Sequence, residues 1–60
     1  MDRKDIINLR KKTGLSQERF AARLNVSRIT VANWERGYSE PSPLAQDKLE
    51  LLKNEVIDAS

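Results

Sequence analysis

Two short stretches in the middle of the chain place apolar residues three and four positions apart, over residues 17–24 and 28–36. Residues at this spacing share one face of an α-helix. Each stretch follows a serine that has an apolar residue directly before it, which is typical of an N-cap with a hydrophobic staple. The pattern therefore predicts two helices that begin after Ser16 and Ser27 and are joined by a tight turn.

The residues after these helices suit a helix end. Gly37 follows the second helix, and Asn25 follows the first. A left-handed C-terminal residue is least strained for glycine, and asparagine is the next most tolerant type. Between the caps, the apolar residues are spaced to meet across the turn: Phe20, Ala21, Leu24, Val26, Val31 and Trp34. The segment is therefore predicted to form a helix-turn-helix over residues 17–36.

A helix is also predicted before this pair, from about Asp2 to Lys12. Asp2 can act as its N-cap, and Ile6 and Leu9 lie three apart, so they share an inward face. Gly14 follows and can end the helix.

The residues after the pair predict a loop and a last helix. Residues 38–42 form the loop, in which Ser42 is the expected N-cap of the last helix. Pro43 occupies the first helical position, where its missing N–H costs nothing. Four apolar residues then form one stripe: Ala45, Leu49, Leu52 and Val56. Leu44 and Leu51 widen it, and the pattern weakens after Asn54. The sequence predicts one all-α domain over residues 1–60.

The helix-turn-helix residues resemble those of the lambda repressor/Cro family, also called XRE-type. An apolar helix with Arg10 precedes the motif, and Glu35, Gly37 and a proline-bearing loop follow it. The string NWERGYSEP before a leucine-rich helix is similar to the DNA-binding domains of HigA-type antitoxins. The resemblance spans about residues 3–53. It implies a compact four- to five-helix lambda-repressor-like DNA-binding domain that regulates transcription, foremost as a repressor.

The distribution of charge along the chain and the absence of Cys and His exclude several classes of function. Residues 1–37 carry nine Lys and Arg against four Asp and Glu, whereas residues 38–60 carry two against five. A basic first part favours an anionic partner. The chain has no Cys and no His, and it lacks a nucleophile–base pair and a phosphate-cradling glycine loop. We therefore expect a cytoplasmic, non-enzymatic protein with no cofactor, no metal, no membrane span and no small-molecule substrate.

The outward face of the helix over residues 28–36 is expected to read DNA bases through Arg28, Ile29, Ala32 and Asn33. Arg28 suits guanine and Asn33 suits adenine, because each can bond a base edge through two atoms. Ile29 suits a thymine methyl group, although a single exposed isoleucine is also common on ordinary surfaces. Ala32 keeps the face flat enough for close approach.

Phosphate contacts are expected at the helix ends from Gln17, Thr30, Arg36, Tyr38 and Ser39. Gln17 resembles the backbone-contacting glutamine of the family, and the amide groups of a first helical turn favour an anion. Arg19 and Arg23 fit ordinary solvated charges at least as well. Glu40 stands where related loops often carry a basic residue, which argues against strong anchoring by residues 39–42.

Two other assignments concern structure. Arg10 and Glu35 resemble a pair that bridges the first helix to the end of the helix over 28–36, the alternative being two independent surface charges. The net stabilisation by such a pair can be small, because desolvation opposes the attraction. Trp34 is interpreted as a core residue rather than a stacking platform, since the chain has only one Phe, one Trp and one Tyr.

Two functions from different classes remain open. The first is sequence-specific binding of double-stranded DNA as a homodimer that is joined through the last helix and the loop before it. Within that helix, the segment Leu51 to Ile57 is expected to be free for the second copy, because the rest of the stripe closes the core. The second is an antitoxin or adaptor whose acidic segment Leu44–Asp58 binds a partner protein such as a toxin, while DNA binding regulates its own operon.

Overall fold

A computed structural model describes the backbone of residues 1–59 and the side chains of residues 1–56. Four α-helices follow one another over this part of the chain: α1 Arg3–Thr13, α2 Gln17–Leu24, α3 Arg28–Arg36 and α4 Pro43–Ala59. The predicted bounds of α2 and α3 are confirmed, and α1 begins and ends one residue later than expected. Over residues 1–59 the four-helix form of the prediction holds, without a fifth helix.

Each helix begins at the side-chain cap that the sequence predicted. The side chains of Asp2, Ser16, Ser27 and Ser42 accept a hydrogen bond from the backbone N–H three residues later, at distances of 2.9 to 3.2 Å. These bonds satisfy N–H groups that have no partner inside the helix, and each such cap contributes about 1 kcal/mol. Four caps are therefore a substantial part of the stability of so small a domain.

The residues that end α2 and α3 have left-handed backbones, as predicted. Asn25 has a φ of 58° and Gly37 a φ of 80°. In each case the N–H of the left-handed residue bonds to carbonyl groups of the last helical turn. The three-residue turn between α2 and α3 is therefore closed by local chemistry, and it sets the angle at which α3 leaves α2.

The buried apolar residues of all four helices form one core. Phe20, Val31 and Leu49 are fully inaccessible, and Trp34 is 3% exposed, which confirms that Trp34 is a core residue. Helix α3 packs against α1 and α2, and α4 packs against the same two helices. The residues that fill the core hold one face of α3 inward and leave the other face outside. Over the described residues, no helix has the length and apolar character needed to cross a membrane.

Most of the predicted apolar stripe of α4 belongs to this core. Three of its residues are buried: Ala45, Leu49 and Leu52. The expectation that Leu52 is free for a partner is wrong, because it lies against the core with only 7% exposure. Val56 packs partly against the core. Leu44 and Leu51 are 66% and 64% exposed, so they are the apolar residues of α4 that stay outside, and the side chain of Ile57 lies outside the described residues.

Candidate nucleic-acid interface

The outer face of α3 carries an unusual combination of side chains. Arg28 is exposed in the first turn, Ile29 is 63% exposed beside it, and Asn33 is half-buried one turn later. Val31 and Trp34 point into the core, so helical geometry places Arg28, Ile29 and Asn33 away from it. A cation, a branched apolar group and an amide therefore share one accessible surface on the helix.

Ala32 lies differently from the flat, accessible position expected for it. It is only 7% exposed, although it is not part of the core cluster. Its low exposure leaves little of the side chain for a base to contact, and its role in base reading stays a prediction.

Polar and charged residues surround this face at the end of α3. Arg36, Tyr38 and Ser39 are exposed, and Tyr38 reaches 74% exposure. The guanidinium carbon of Arg36 lies 5.9 Å from the centre of the Tyr38 ring, within the range of a cation–π contact. A cation and a phenol therefore lie close together at the end of α3.

Thr30 is less available than the other predicted phosphate ligands. Its hydroxyl oxygen lies 2.8 Å from the hydroxyl oxygen of Ser27, and its backbone N–H donates to that same Ser27 oxygen at 3.1 Å. Thr30 is half-buried. Its side chain therefore takes part in the N-cap of α3, and any phosphate contact shares the hydroxyl with that cap.

Arg10 and Glu35 form the pair that the resemblance implied. Arg10 donates from Nε to Glu35 Oε2 at 2.7 Å and from Nη2 to Oε1 at 3.0 Å. The Glu35 side chain is 8% exposed and that of Arg10 is 21% exposed. A two-point bond of this kind fixes both distance and orientation, so it ties α1 to the last turn of α3.

Gln17 joins this pair, which the sequence did not show. Its side-chain Nε2 donates to Glu35 Oε1 at 3.1 Å, and Arg10 Nη1 donates to the backbone carbonyl of Leu15 at 3.3 Å. One carboxylate therefore connects α1, the start of α2 and the end of α3. We call Arg10, Glu35 and Gln17 the carboxylate cluster.

The carboxylate cluster changes the pKa of both ionised groups. Burial raises the pKa of Glu35, but hydrogen bonds from Arg10 and Gln17 and the positive charges of Arg10 and Lys11 outweigh it, so the net pKa lies below the usual value. The hydrogen bond to Glu35 raises the pKa of Arg10. Both groups therefore stay charged at neutral pH.

The lowered pKa of Glu35 predicts a loss of stability in acid. A carboxyl group with a lower pKa in the folded protein stabilises the fold at pH values above its unfolded pKa of about 4.3, and this stabilisation disappears as the pH falls through the folded pKa. Unfolding by urea between about pH 7 and about pH 3 should show wild type and Glu35→Gln converging as the pH falls. The exposed Glu50→Gln is the control. A constant difference between wild type and Glu35→Gln over this range contradicts the prediction.

Two basic residues that sequence reasoning missed also position the elements of the site. Lys48 on α4 donates from Nζ to the backbone carbonyl of Leu24, at the end of α2, at 3.3 Å. Arg3 donates from Nη1 to the carbonyl of Arg36, at the end of α3, at 3.5 Å. Cations are favourable at helix C-termini, but the sequence contains no signal for which helix end each one reaches.

The remaining basic residues of α2 behave as solvated charges. Arg19 is exposed, and Arg23 lies 3.6 Å from Glu55 of α4 with both side chains more than half exposed. Such an exposed pair contributes little to stability. Over the described residues, no cluster of acidic, His or Cys side chains has the arrangement of a metal site.

A family model described as helix-turn-helix matches residues 6–50 of this chain. The match covers α1 from Ile6 onward, all of α2 and α3 and the first half of α4, and so includes the outer face of α3 and the carboxylate cluster. Searches of curated proteins and of solved structures returned no significant match.

Proposed function

Because this chain belongs to the XRE-type helix-turn-helix family, whose members are in general DNA-binding transcription regulators, we propose that it binds double-stranded DNA in a sequence-specific manner with α3 in the major groove. The observation that carries the proposal is the outer face of α3. Ile29 is 63% exposed there between the polar groups of Arg28 and Asn33. An exposed branched apolar residue between two hydrogen-bonding side chains has no use in the fold itself, whereas it matches a groove that presents thymine methyl groups beside acceptors.

The three side chains are proposed to divide the reading of bases. The guanidinium of Arg28 bonds the two acceptors of a guanine, and the amide of Asn33 bonds the donor and acceptor of an adenine. Ile29 packs against a thymine methyl group. Ala32 lets the helix backbone approach the bases.

Residues around this face are proposed to hold the DNA backbone. They are Gln17, Thr30, Arg36, Tyr38 and Ser39. The Arg36 guanidinium carbon lies 5.9 Å from the centre of the Tyr38 ring at the end of α3, so both side chains are close enough to contact the same phosphate. The N-terminus of α2 adds backbone N–H groups that favour an anion next to Gln17.

Binding to duplex DNA should depend strongly on salt, because contacts with phosphates release bound counterions. If each copy neutralises about three phosphates, its affinity falls roughly fortyfold between about 50 and 200 mM salt. The measurement is a fluorescence anisotropy titration of a duplex obtained by selection from random DNA. A single strand of the same sequence is the control and should bind more weakly. Absence of duplex binding at low salt, or binding that does not change with salt, overturns the proposed function.

We further propose that the protein binds as a homodimer and acts as a repressor by occupying its operator. Leu44 and Leu51 lie seven residues apart on α4, and both remain exposed. Two residues at this spacing share one face of the helix, which suits a small two-fold contact with a second copy. Because the contact area is small, we expect dimerisation mainly on DNA.

A two-fold dimer predicts an inverted repeat. It places two copies of α3 about 34 Å apart, one turn of DNA, so selection should return two inverted half-sites bound by two copies. Leu51→Lys should weaken the binding of the second copy, whereas Lys53→Ala, another exposed change on α4, should not. Mass measurement of the complex gives the stoichiometry. An asymmetric site bound by one copy rejects the dimer and favours the antitoxin or adaptor alternative, in which α4 contacts a different protein.

A further inference from the structure

The side-chain amide of Gln17 is hydrogen-bonded within the protein itself. Gln17 is the first residue of α2, it is half-buried, and its Nε2 donates to Glu35 Oε1 at 3.1 Å. A carboxylate only accepts hydrogen bonds, so the nitrogen of the amide, and not its oxygen, must face Glu35. One N–H of the amide is used in this bond and the second remains available.

Glu35 is itself held firmly enough to act as a support. Its two oxygens accept from Arg10 at 2.7 and 3.0 Å, and its side chain is 8% exposed. Arg10 also donates to the carbonyl of Leu15, directly before the N-cap of α2. The carboxylate therefore has a fixed place relative to the start of α2, where the predicted phosphate contact lies.

We propose that Glu35 is a positioning residue for DNA binding, which orients the amide of Gln17 so that its second N–H meets a DNA phosphate beside the N-terminus of α2. The inference rests on the proposed function. A side chain that is already oriented loses less conformational freedom on binding, so its hydrogen bond contributes more to affinity. Arg10 has a second effect, since its charge balances that of Glu35 and keeps the carboxylate from repelling the phosphate.

The orientation of Gln17 can be tested in the free protein, without DNA. The chain has two glutamines, and Gln46 on α4 is a matched half-buried reference. By NMR, the side-chain amide protons of Gln17 should be better separated and exchange more slowly than those of Gln46, and Glu35→Ala should remove this difference. If the wild-type amide of Gln17 exchanges as fast as that of Gln46, Glu35 does not hold it and the inference fails.

The effect on DNA binding is tested by a double-mutant cycle on the selected duplex. Gln17→Ala should lower affinity about three- to tenfold, the effect of one hydrogen bond. In the Glu35→Ala background the same change should have almost no further effect, because the amide is no longer oriented. Base preference should stay unchanged in both variants. A full effect of Gln17→Ala in the Glu35→Ala background overturns the inference, and so does a changed base preference, which indicates that Glu35 only aligns α3.

Glu35→Gln tests the hydrogen bond to Gln17 separately from the ion pair with Arg10. It also provides a second variant in case Glu35→Ala does not fold. Its amide oxygen can replace Oε1 and still accept from Gln17, while its NH₂ group faces Nε of Arg10 and cannot accept from it. We therefore expect Gln17→Ala to cost the same factor in Glu35→Gln as in wild type. Loss of that factor in a folded Glu35→Gln protein contradicts the inference. If wild type binds no DNA, the proposed function fails, whereas the NMR comparison still reports on the orientation of Gln17.

Discussion

Trp34→Ala is expected to unfold the protein. Trp34 is 3% exposed and belongs to the core formed by all four helices. Truncation of a buried tryptophan costs about 3–5 kcal/mol, and a small domain has a total stability near the lower end of about 5–15 kcal/mol. Far-ultraviolet circular dichroism is the appropriate measurement, because the substitution removes the single tryptophan on which fluorescence depends.

Tyr38→Ala is the matched control for this experiment. It also truncates an aromatic side chain, but Tyr38 is 74% exposed. A surface change of this kind alters stability by about 0.5 kcal/mol or less, so the variant should melt like wild type and lose only affinity for DNA. A Trp34→Ala protein that folds cooperatively and has lost DNA binding alone assigns Trp34 to the DNA interface instead.

Arg28→Ala and Asn33→Ala are expected to relax base preference. Each substitution removes a side chain that can bond a base edge through two atoms, at a cost of about 1–3 kcal/mol on the preferred duplex. For each variant, one base pair of the duplex should be special. When that base pair is changed, the wild-type protein has already lost its contact, so the substitution should cost much less affinity on the changed duplex. The base pair should differ between Arg28→Ala and Asn33→Ala. Titrating each variant against a set of singly changed duplexes measures this.

Arg36→Ala separates loss of base reading from general weakening. Its side chain is assigned to the DNA backbone beside Tyr38, so affinity should fall by about the same factor on every duplex, with a smaller dependence on salt. If Arg28→Ala returns the same selected motif as wild type, the outer face of α3 has been assigned incorrectly. If Arg36→Ala changes the motif, the division into base and phosphate contacts is wrong.

Much of the fold could be predicted because its signals are local. The caps at Ser16 and Ser27 are short polar residues at the ends of apolar periodic stretches, and each makes its bond only three residues away. Asn25 and Gly37 adopt the left-handed backbone that their residue types tolerate best. Helix caps and left-handed residues depend on neighbours in sequence, so they can be predicted without knowing how the helices pack.

The outer face of α3 could be predicted only in part. Helical periodicity assigned Val31 and Trp34 to the inward face of α3 and Arg28 and Ile29 to the outward face, since these four positions cannot all lie on one side of a helix. It did not show that Ala32 is 7% exposed, because helical spacing gives the direction of a side chain and not how closely its surroundings pack. Its contact with DNA, like those of Arg28, Ile29 and Asn33, remains a prediction.

The sequence by itself determined where the four capped helices lie and that Val31 and Trp34 face the core, because caps and helical spacing act within a few residues. The residues of the helix-turn-helix also indicated the family. The resemblance implied the Arg10–Glu35 pair, but only the tertiary structure decided which other distant groups meet. Gln17 and Glu35 lie 18 residues apart, and Lys48 and Leu24 lie 24 apart, so their contacts exist only after the helices have packed. Packing also buried Leu52 while it left Leu51 exposed. Helical periodicity shows that two residues share a face, but the angles between helices decide what that face touches.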